Sequence, residues 1–169
     1  MLEKNGQFDA SETRSGRKSS LVGPLGTLKL DPKKRLTLPA KWREKHGHPS
    51  YVYITENEFK KCLDIFVPVV VEEKMAEASP KDDMAIPEAR EAWEEMQRRI
   101  MEVFRPVDVD GQGRIRISDE LIAYAELTEY VAANALGSRM ELWRAEKAGE
   151  EMPISKEAKT IARGLLKLY

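Results

Sequence analysis

The chain holds a single cysteine, Cys62. No internal disulfide can form, and a thiolate zinc cage has no second sulfur to draw on; a reduced thiol packed in a strand is the expectation. Histidine is nearly as scarce, with His46 and His48 two positions apart near the end of an expected helix and no third ligand close by. No apolar run approaches the roughly 20 residues of a membrane helix, and the opening stretch has no apolar core of the kind a secretory signal carries. No membrane partner is expected, and the cytoplasm is the expected location. No nucleophile stands beside a base. The carboxylates Glu91, Glu94 and Glu95 fall on what reads as the wet side of a helix, so neither an enzyme nor a cofactor site is expected. Asp108-x-Asp110-Gly111 looks like the opening of a calcium loop, but Ile117 stands where the bidentate glutamate belongs. Gly111-x-Gly113 lacks the third glycine and the helix placement of a dinucleotide loop.

Excess charge is missing too: the 169 residues carry a net charge of only −1. That balance speaks against an evenly basic nucleic-acid-binding surface. The distribution is uneven, however. From Met1 to His48 there are 11 Lys and Arg against 5 Asp and Glu, and the remainder holds 17 against 24. One end of the chain can face phosphate while the other faces water or partner subunits.

What is present in abundance is self-similarity. Leu30-Asp-Pro-Lys-Lys-Arg-Leu-Thr-Leu-Pro39 aligns with Val109-Asp-Gly-Gln-Gly-Arg-Ile-Arg-Ile-Ser118, with Asp31 and Asp110, Arg35 and Arg114 all 79 residues apart. Tyr51-Val52 falls on Tyr130-Val131 at the same offset, and Cys62-Leu-Asp-Ile-Phe66 meets Arg139-Met-Glu-Leu-Trp143 at an offset of 77. A two-residue difference in a hairpin loop accounts for the drift.

Each copy reads as strand, tight turn, strand, short helix and two more strands. In the first copy the strand lies near Leu25 to Leu30, the turn is Asp31 to Lys34, and the next strand is Arg35 to Leu38. Pro39 suits a helix's first turn, and Gly47 its end. The second copy has Ser118, a good N-cap, followed by Asp119 and Glu120, which favour a helix N-terminus. Between the copies, Ser79 to Pro87 reads as a loop, preceded by a helix over Pro68 to Ala78. Glu88 to Phe104 has Ala89, Ala92, Trp93, Met96, Ile100, Val103 and Phe104 at helical spacing, an amphipathic helix linking or bracing the halves. The expected organisation is an α+β fold with a disordered tail over 1–22, a first repeat over 23–78, the loop and amphipathic helix over 79–104, a second repeat over 105–150 and a helical extension over 151–169. Arg14, Arg17 and Lys18 make the tail basic, whether it touches DNA backbone or serves only for solubility. Ile161, Leu165 and Leu168 share one side of a final helix from Ser155.

Strand alternation decides which side chains reach outward at the motif. If Leu36, Leu38, Ile115 and Ile117 point into the core, then Arg35, Thr37, Arg114 and Arg116 point out, and Lys29, Lys33 and Lys34 add charge to the first copy. Arginine grips phosphate or guanine edges bidentately, and lysine acts as a point charge toward phosphate. Asp31 and Asp110 would repel phosphate, so their role is structural: accepting backbone N–H bonds in the turn and orienting the arginine four positions on. An Asp–Arg pair that merely locks a hairpin is the competing account. Two such hairpins in one chain can form a closed, pseudo-twofold barrel that supports a pair of binding loops.

The stretch Asp31-Pro-Lys-Lys-Arg-Leu-Thr-Leu-Pro-Ala-Lys-Trp-Arg43, together with Asp110-Gly-Gln-Gly-Arg-Ile-Arg-Ile117, resembles the paired signatures of the MraZ family of the AbrB-like superfamily. The resemblance spans about Leu25 to Glu146. It implies a swapped-hairpin AbrB-like barrel made from both halves of the chain, assembly into a homo-oligomeric ring, and repression of the division and cell-wall gene cluster through repeated promoter boxes in double-stranded DNA at the nucleoid. It makes Arg35 and Arg114 the first candidates for DNA contact. Two positions depart from the family pattern: Lys34 stands where glycine usually precedes the arginine, and Ser118 replaces the second copy's proline. Two other readings compete with the repressor. An AbrB-like antitoxin or global transition-state regulator usually carries one copy and dimerises, which the duplication opposes; a structural protein that binds no DNA would use the motifs only to hold hairpins together.

Overall fold

The computed structural model describes residues 22–146 together with Thr160 and Gly164. All of the expected tail but Val22, which opens the first strand, and nearly all of the expected C-terminal helix lie outside them. The elements in chain order are β1 (Val22–Lys29), β2 (Arg35–Thr37), α1 (Ala40–Lys45), β3 (Tyr51–Glu56), β4 (Leu63–Phe66), α2 (Pro68–Ala78), α3 (Pro87–Val103), β5 (Arg105–Asp108), β6 (Arg114–Arg116), α4 (Asp119–Tyr124), β7 (Tyr130–Leu136) and β8 (Arg139–Arg144). The fold is α+β, as the two periodicities lead one to expect. Six strands form an antiparallel sheet in the order β1-β7-β8-β4-β3-β5, and β2 pairs with β6 in a separate two-stranded ribbon.

The pairings cross between the two copies of the repeat. β1 of the first copy pairs with β7 of the second, Lys29 opposite Tyr130; β5 of the second pairs with β3 of the first, Asp108 opposite Tyr51. These are the same pairing moved by the repeat offset. In the ribbon, Arg35 lies opposite Arg116, Leu36 opposite Ile115 and Thr37 opposite Arg114, so a pseudo-twofold axis passes between Leu36 and Ile115. On the far side of the molecule, β4 pairs with β8, Asp64 opposite Glu141. Those two residues are equivalent in the repeat, so the axis leaves the fold between them.

The described strands do not close into the expected hydrogen-bonded barrel: β1 and β5 are the edges of the six-stranded sheet. The tight turns after them explain why, since each edge strand passes its continuation into the β2–β6 ribbon and not into the sheet ladder. The ribbon lies over a core that both copies supply. Leu36, Leu38, Ile115 and Ile117 are at most 1% exposed, packed with Trp42, Ile54, Ile65, Met140 and Leu142. Alternation along β2 and β6 had placed these four inward, and the burial agrees.

Helix punctuation follows the local chemistry with one shift. Pro39 sits at the cap of α1, one position before its first turn, where fixed φ and a missing N–H cost nothing. Ser118 caps α4 by accepting from the Leu121 backbone N–H at 3.4 Å. α3 is the amphipathic helix expected, yet it buries none of its residues fully, and Met96 and Val103 are more than half exposed. Its apolar side meets only a shallow groove shared with α2, lined by Phe66, Val70, Val71, Met75, Ile100 and Phe104. It braces the halves less tightly than its periodicity promised, touching the sheet mainly where Phe104, at its end, meets Phe66 of β4 edge to face.

Candidate nucleic-acid interface

Each signature folds into a turn held by its own aspartate. Asp31 Oδ1 accepts the Arg35 backbone N–H at 2.8 Å while Oδ2 accepts Nε of the Arg35 side chain at 2.7 Å. Asp110 repeats the arrangement with Arg114, at 2.9 and 2.7 Å, and its Oδ1 also accepts from the Gln112 backbone N–H at 2.9 Å. Bonds from the arginine backbone N–H lead the causes that hold both carboxyls below the ordinary carboxylate range. The turn-opening role expected of both aspartates is what the geometry displays. Each pair spends only the arginine's Nε. The two outer Nη groups, the edge that meets a phosphate or a guanine end-on, have no partner among the described residues.

The ribbon joins the two turns, one at each of its ends, and sets Arg35 directly across from Arg116, with Arg114 across from Thr37. Directly opposed like charges on one face repel. Asp31 and Asp110 offset two of the three guanidiniums, whereas Arg116 is exposed and forms no ion pair among the described residues. The face thus carries three arginines, two of them paired with an aspartate of their own turn.

The sequence-expected lysines are arranged less evenly. Lys33 is exposed at the first turn without an ion pair among the described residues. Lys29 pairs with Glu129 across the β1–β7 ladder at 3.3 Å. Lys34 turns away from its own copy to pair with Asp119 at the start of α4. Its backbone is left-handed, φ 61°, matching its repeat equivalent Gly113 at φ 77°. The chain therefore keeps the turn geometry at position 34 without glycine, a conformation that costs a side-chain-bearing residue.

Two features were not foreseen from the sequence. Arg43 of α1 donates from Nε to the Leu38 carbonyl at 3.1 Å, and a β-carbon added at Gly113 would run into its guanidinium. A side chain there would have to displace that guanidinium as well as accept the left-handed φ of 77°. The second feature lies across the molecule, where the buried Cys62, Asp64 and Glu141 bring ligand-type atoms within 4.8 Å of one another. Arg139 already supplies positive charge there, with Nε 3.8 Å from Asp64 and Nη2 3.5 Å from Glu141. Asn57 donates to Asp64 at 3.0 Å and the Trp143 indole to Glu141 at 3.1 Å. Burial pushes the Cys62 thiol above its ordinary range and, with Glu141's charge working against Arg139, raises Asp64 as well. A protonated thiol beside a resident guanidinium is a poor metal donor set. The linear signal for this cluster was a carboxylate in each of two aligned apolar strands.

No family model matches the chain. Individual relatives do. The transcriptional regulator MraZ of Saccharopolyspora erythraea is 36% identical over 122 residues, which cover 70% of this chain and 78% of that protein. The protein of the same name from Nitrosococcus oceani is 31% identical over 69% of this chain and 76% of its own length. That from Janthinobacterium is 30% identical over 139 residues, 82% of this chain and 89% of its own. With relatives this similar over most of both lengths, and two Asp-x-x-x-Arg turns joined through one ribbon, the chain belongs to the MraZ family.

Proposed function

We propose that the chain is a transcriptional regulator that binds double-stranded DNA through the β2–β6 ribbon, a repressor acting on repeated promoter boxes of a division and cell-wall gene cluster. The observation that carries this reading is the pair of aspartate-oriented arginines, Arg35 and Arg114, whose Nη groups have no partner among the described residues, on one ribbon with the exposed Arg116. Arg35, Arg114 and Arg116 are assigned to base edges or phosphates, and Lys29, Lys33 and Lys34 to the phosphate backbone. Asp31 and Asp110 hold the arginines in place. The names of the relatives support regulation of transcription.

The swapped-hairpin barrel fits the same geometry. Beyond the sheet edges, the Asp31 N–H donates to the Arg35 carbonyl and the Asp110 N–H to that of Arg114, each at 2.9 Å, with a bridge between Leu30 and Leu36. Passing through these hairpins and the ribbon, the strands trace one circuit. One chain offers only two turns, so weak contacts at several boxes are gathered by assembly into a ring, where linked sites raise the effective concentration of the next. The exposed apolar side of α3 suits burial against a second copy. A regulator of this kind works in the cytoplasm, at the nucleoid.

Fluorescence anisotropy with duplex DNA from the upstream region of the chain's own gene, against a scrambled duplex and across a salt series, tests the reading. Arg35→Ala and Arg114→Ala are each expected to weaken binding by about 1–3 kcal/mol, roughly ten- to hundredfold, and to flatten the salt slope by about one. The Asp31–Arg35 and Asp110–Arg114 ion pairs also favour a second reading, in which the motif only locks hairpins. In that case the variants lower the melting temperature and leave weak, sequence-blind DNA binding unchanged.

A further inference from the structure

The pseudo-twofold axis makes the two ends of the ribbon directly comparable. At each end a left-handed residue closes the turn: the Lys34 carbonyl accepts from Ile117 N–H and the Gly113 carbonyl from Leu38 N–H, both at 2.9 Å. What stands over that residue differs. At one end Lys34 reaches Asp119, the first residue of α4. At the other, the repeat equivalents of Lys34 and Asp119 are Gly113 and Ala40, neither of which can carry charge. The space over Gly113 belongs to the Arg43 guanidinium, which has no carboxylate partner among the described residues. Lys34, Arg116, Ser118 and Asp119 line one shallow cleft beside the ribbon, and Arg116 there is unpaired among the described residues.

We infer that Asp119 is an affinity-setting residue: an internal anion that occupies Lys34 and stands where a DNA backbone phosphate would otherwise sit, so that the Lys34 end of the ribbon holds DNA more weakly than the Gly113 end. The inference rests on the ribbon being the DNA-binding surface. Its physics is simple competition. Lys34 is half exposed and Asp119 more so, so their pairing is easily exchanged, yet a carboxylate left in the cleft repels any phosphate that takes its place. Arg116 lines the same cleft as this negative charge. The two halves are alike in backbone and unlike in what they offer an anion, which gives a nearly symmetric chain a direction on its DNA.

Asp119→Asn removes the charge and keeps a residue that suits a helix start; Asp119→Ser is the parallel variant. Each is measured by anisotropy with the same duplex over the salt series, beside the wild type, the double variant Asp119→Asn with Lys34→Ala, and Arg114→Ala. The expected result is binding tighter by about three- to tenfold, with a salt slope steeper by about 0.9, the increment of one additional phosphate contact. The double variant loses the extra slope. Unchanged affinity and slope in both single variants overturn the inference while DNA binding itself stands. An equal gain in the double variant also overturns it, because the gain then comes from net charge and not from Lys34. If instead the wild type and Arg114→Ala bind DNA equally weakly and without sequence preference, it is the assignment of the ribbon to DNA that fails. Melting curves on every variant keep a folding defect from being mistaken for any of these.

Discussion

Lys34 shows how much a single residue can carry. Its φ of 61° lies in the region that a β-carbon disfavours, and its side chain sits at the surface, where an ion pair contributes little. Lys34→Gly is therefore expected to raise the chain's stability by about 1 kcal/mol, read as a higher melting temperature. At Gly113, the equivalent position, the reverse exchange would have to move the Arg43 guanidinium aside as well as accept a left-handed φ. The alternation of Leu36, Leu38, Ile115 and Ile117 was legible because period two is a property of the backbone itself. So was the bond from each aspartate to its arginine, because an Asp opening a tight turn has few other donors in reach. The pairing of Lys34 with Asp119 was not: those residues are 85 apart in sequence, and only the crossing of the two copies brings them together.

Among the elements, the short helices depend on their punctuation. α4 has six residues and begins at Ser118, whose hydroxyl accepts the Leu121 N–H. Ser118→Ala is expected to cost about 1 kcal/mol, measurable by thermal or urea unfolding. α1 has no side-chain cap to lose, because Pro39 stands in the same place and works through its fixed φ. Both solutions were readable from proline and serine chemistry alone. α3 was readable as a helix but not in its surroundings. Its Glu95 pairs with Arg98 at 2.8 Å and Arg99 at 3.2 Å along the wet side, as i, i+3 and i, i+4 spacing dictates. An apolar stripe states that something should cover it without naming what does.

At the scale of the whole molecule, the axis that begins between Leu36 and Ile115 ends between two buried carboxylates, Asp64 and Glu141. Symmetry forces that meeting: an acidic residue placed on the axis in one copy must face its own equivalent. Burial holds Asp64 above the ordinary carboxylate range, so the folded state binds this proton more tightly than the unfolded chain does. Its contribution to stability is full below the unfolded pKa and is lost as pH rises through the folded value. Relative to wild type, Asp64→Asn is thus expected to gain in melting temperature as the pH is raised from acid toward neutral, in a series of thermal melts. Asp31 and Asp110, whose carboxyls are lowered, shift with pH in the opposite direction but are common to both proteins and cancel in the difference. The duplication was visible in the sequence, and with it the expectation of a pseudo-twofold fold. The fact that equivalent residues meet across the axis follows only from the antiparallel pairing of the two copies.

The crossing of the copies also governs how the protein comes to exist on the ribosome. Lys29 waits for Tyr130, 101 residues later, and Arg35 for Arg116. When the first repeat leaves the exit tunnel, its strands β1 and β2 have apolar faces and open backbone edges but no partner, and folding waits until most of the second repeat has been synthesised. Contacts this distant in sequence make for slow, all-or-none folding and a nascent chain exposed to wrong pairings, including pairing with the same half of a neighbouring chain on the same message. Because the missing half is nearly a copy of the half already made, two incomplete chains can satisfy each other, and the likeness that builds the ribbon is also its main hazard during synthesis.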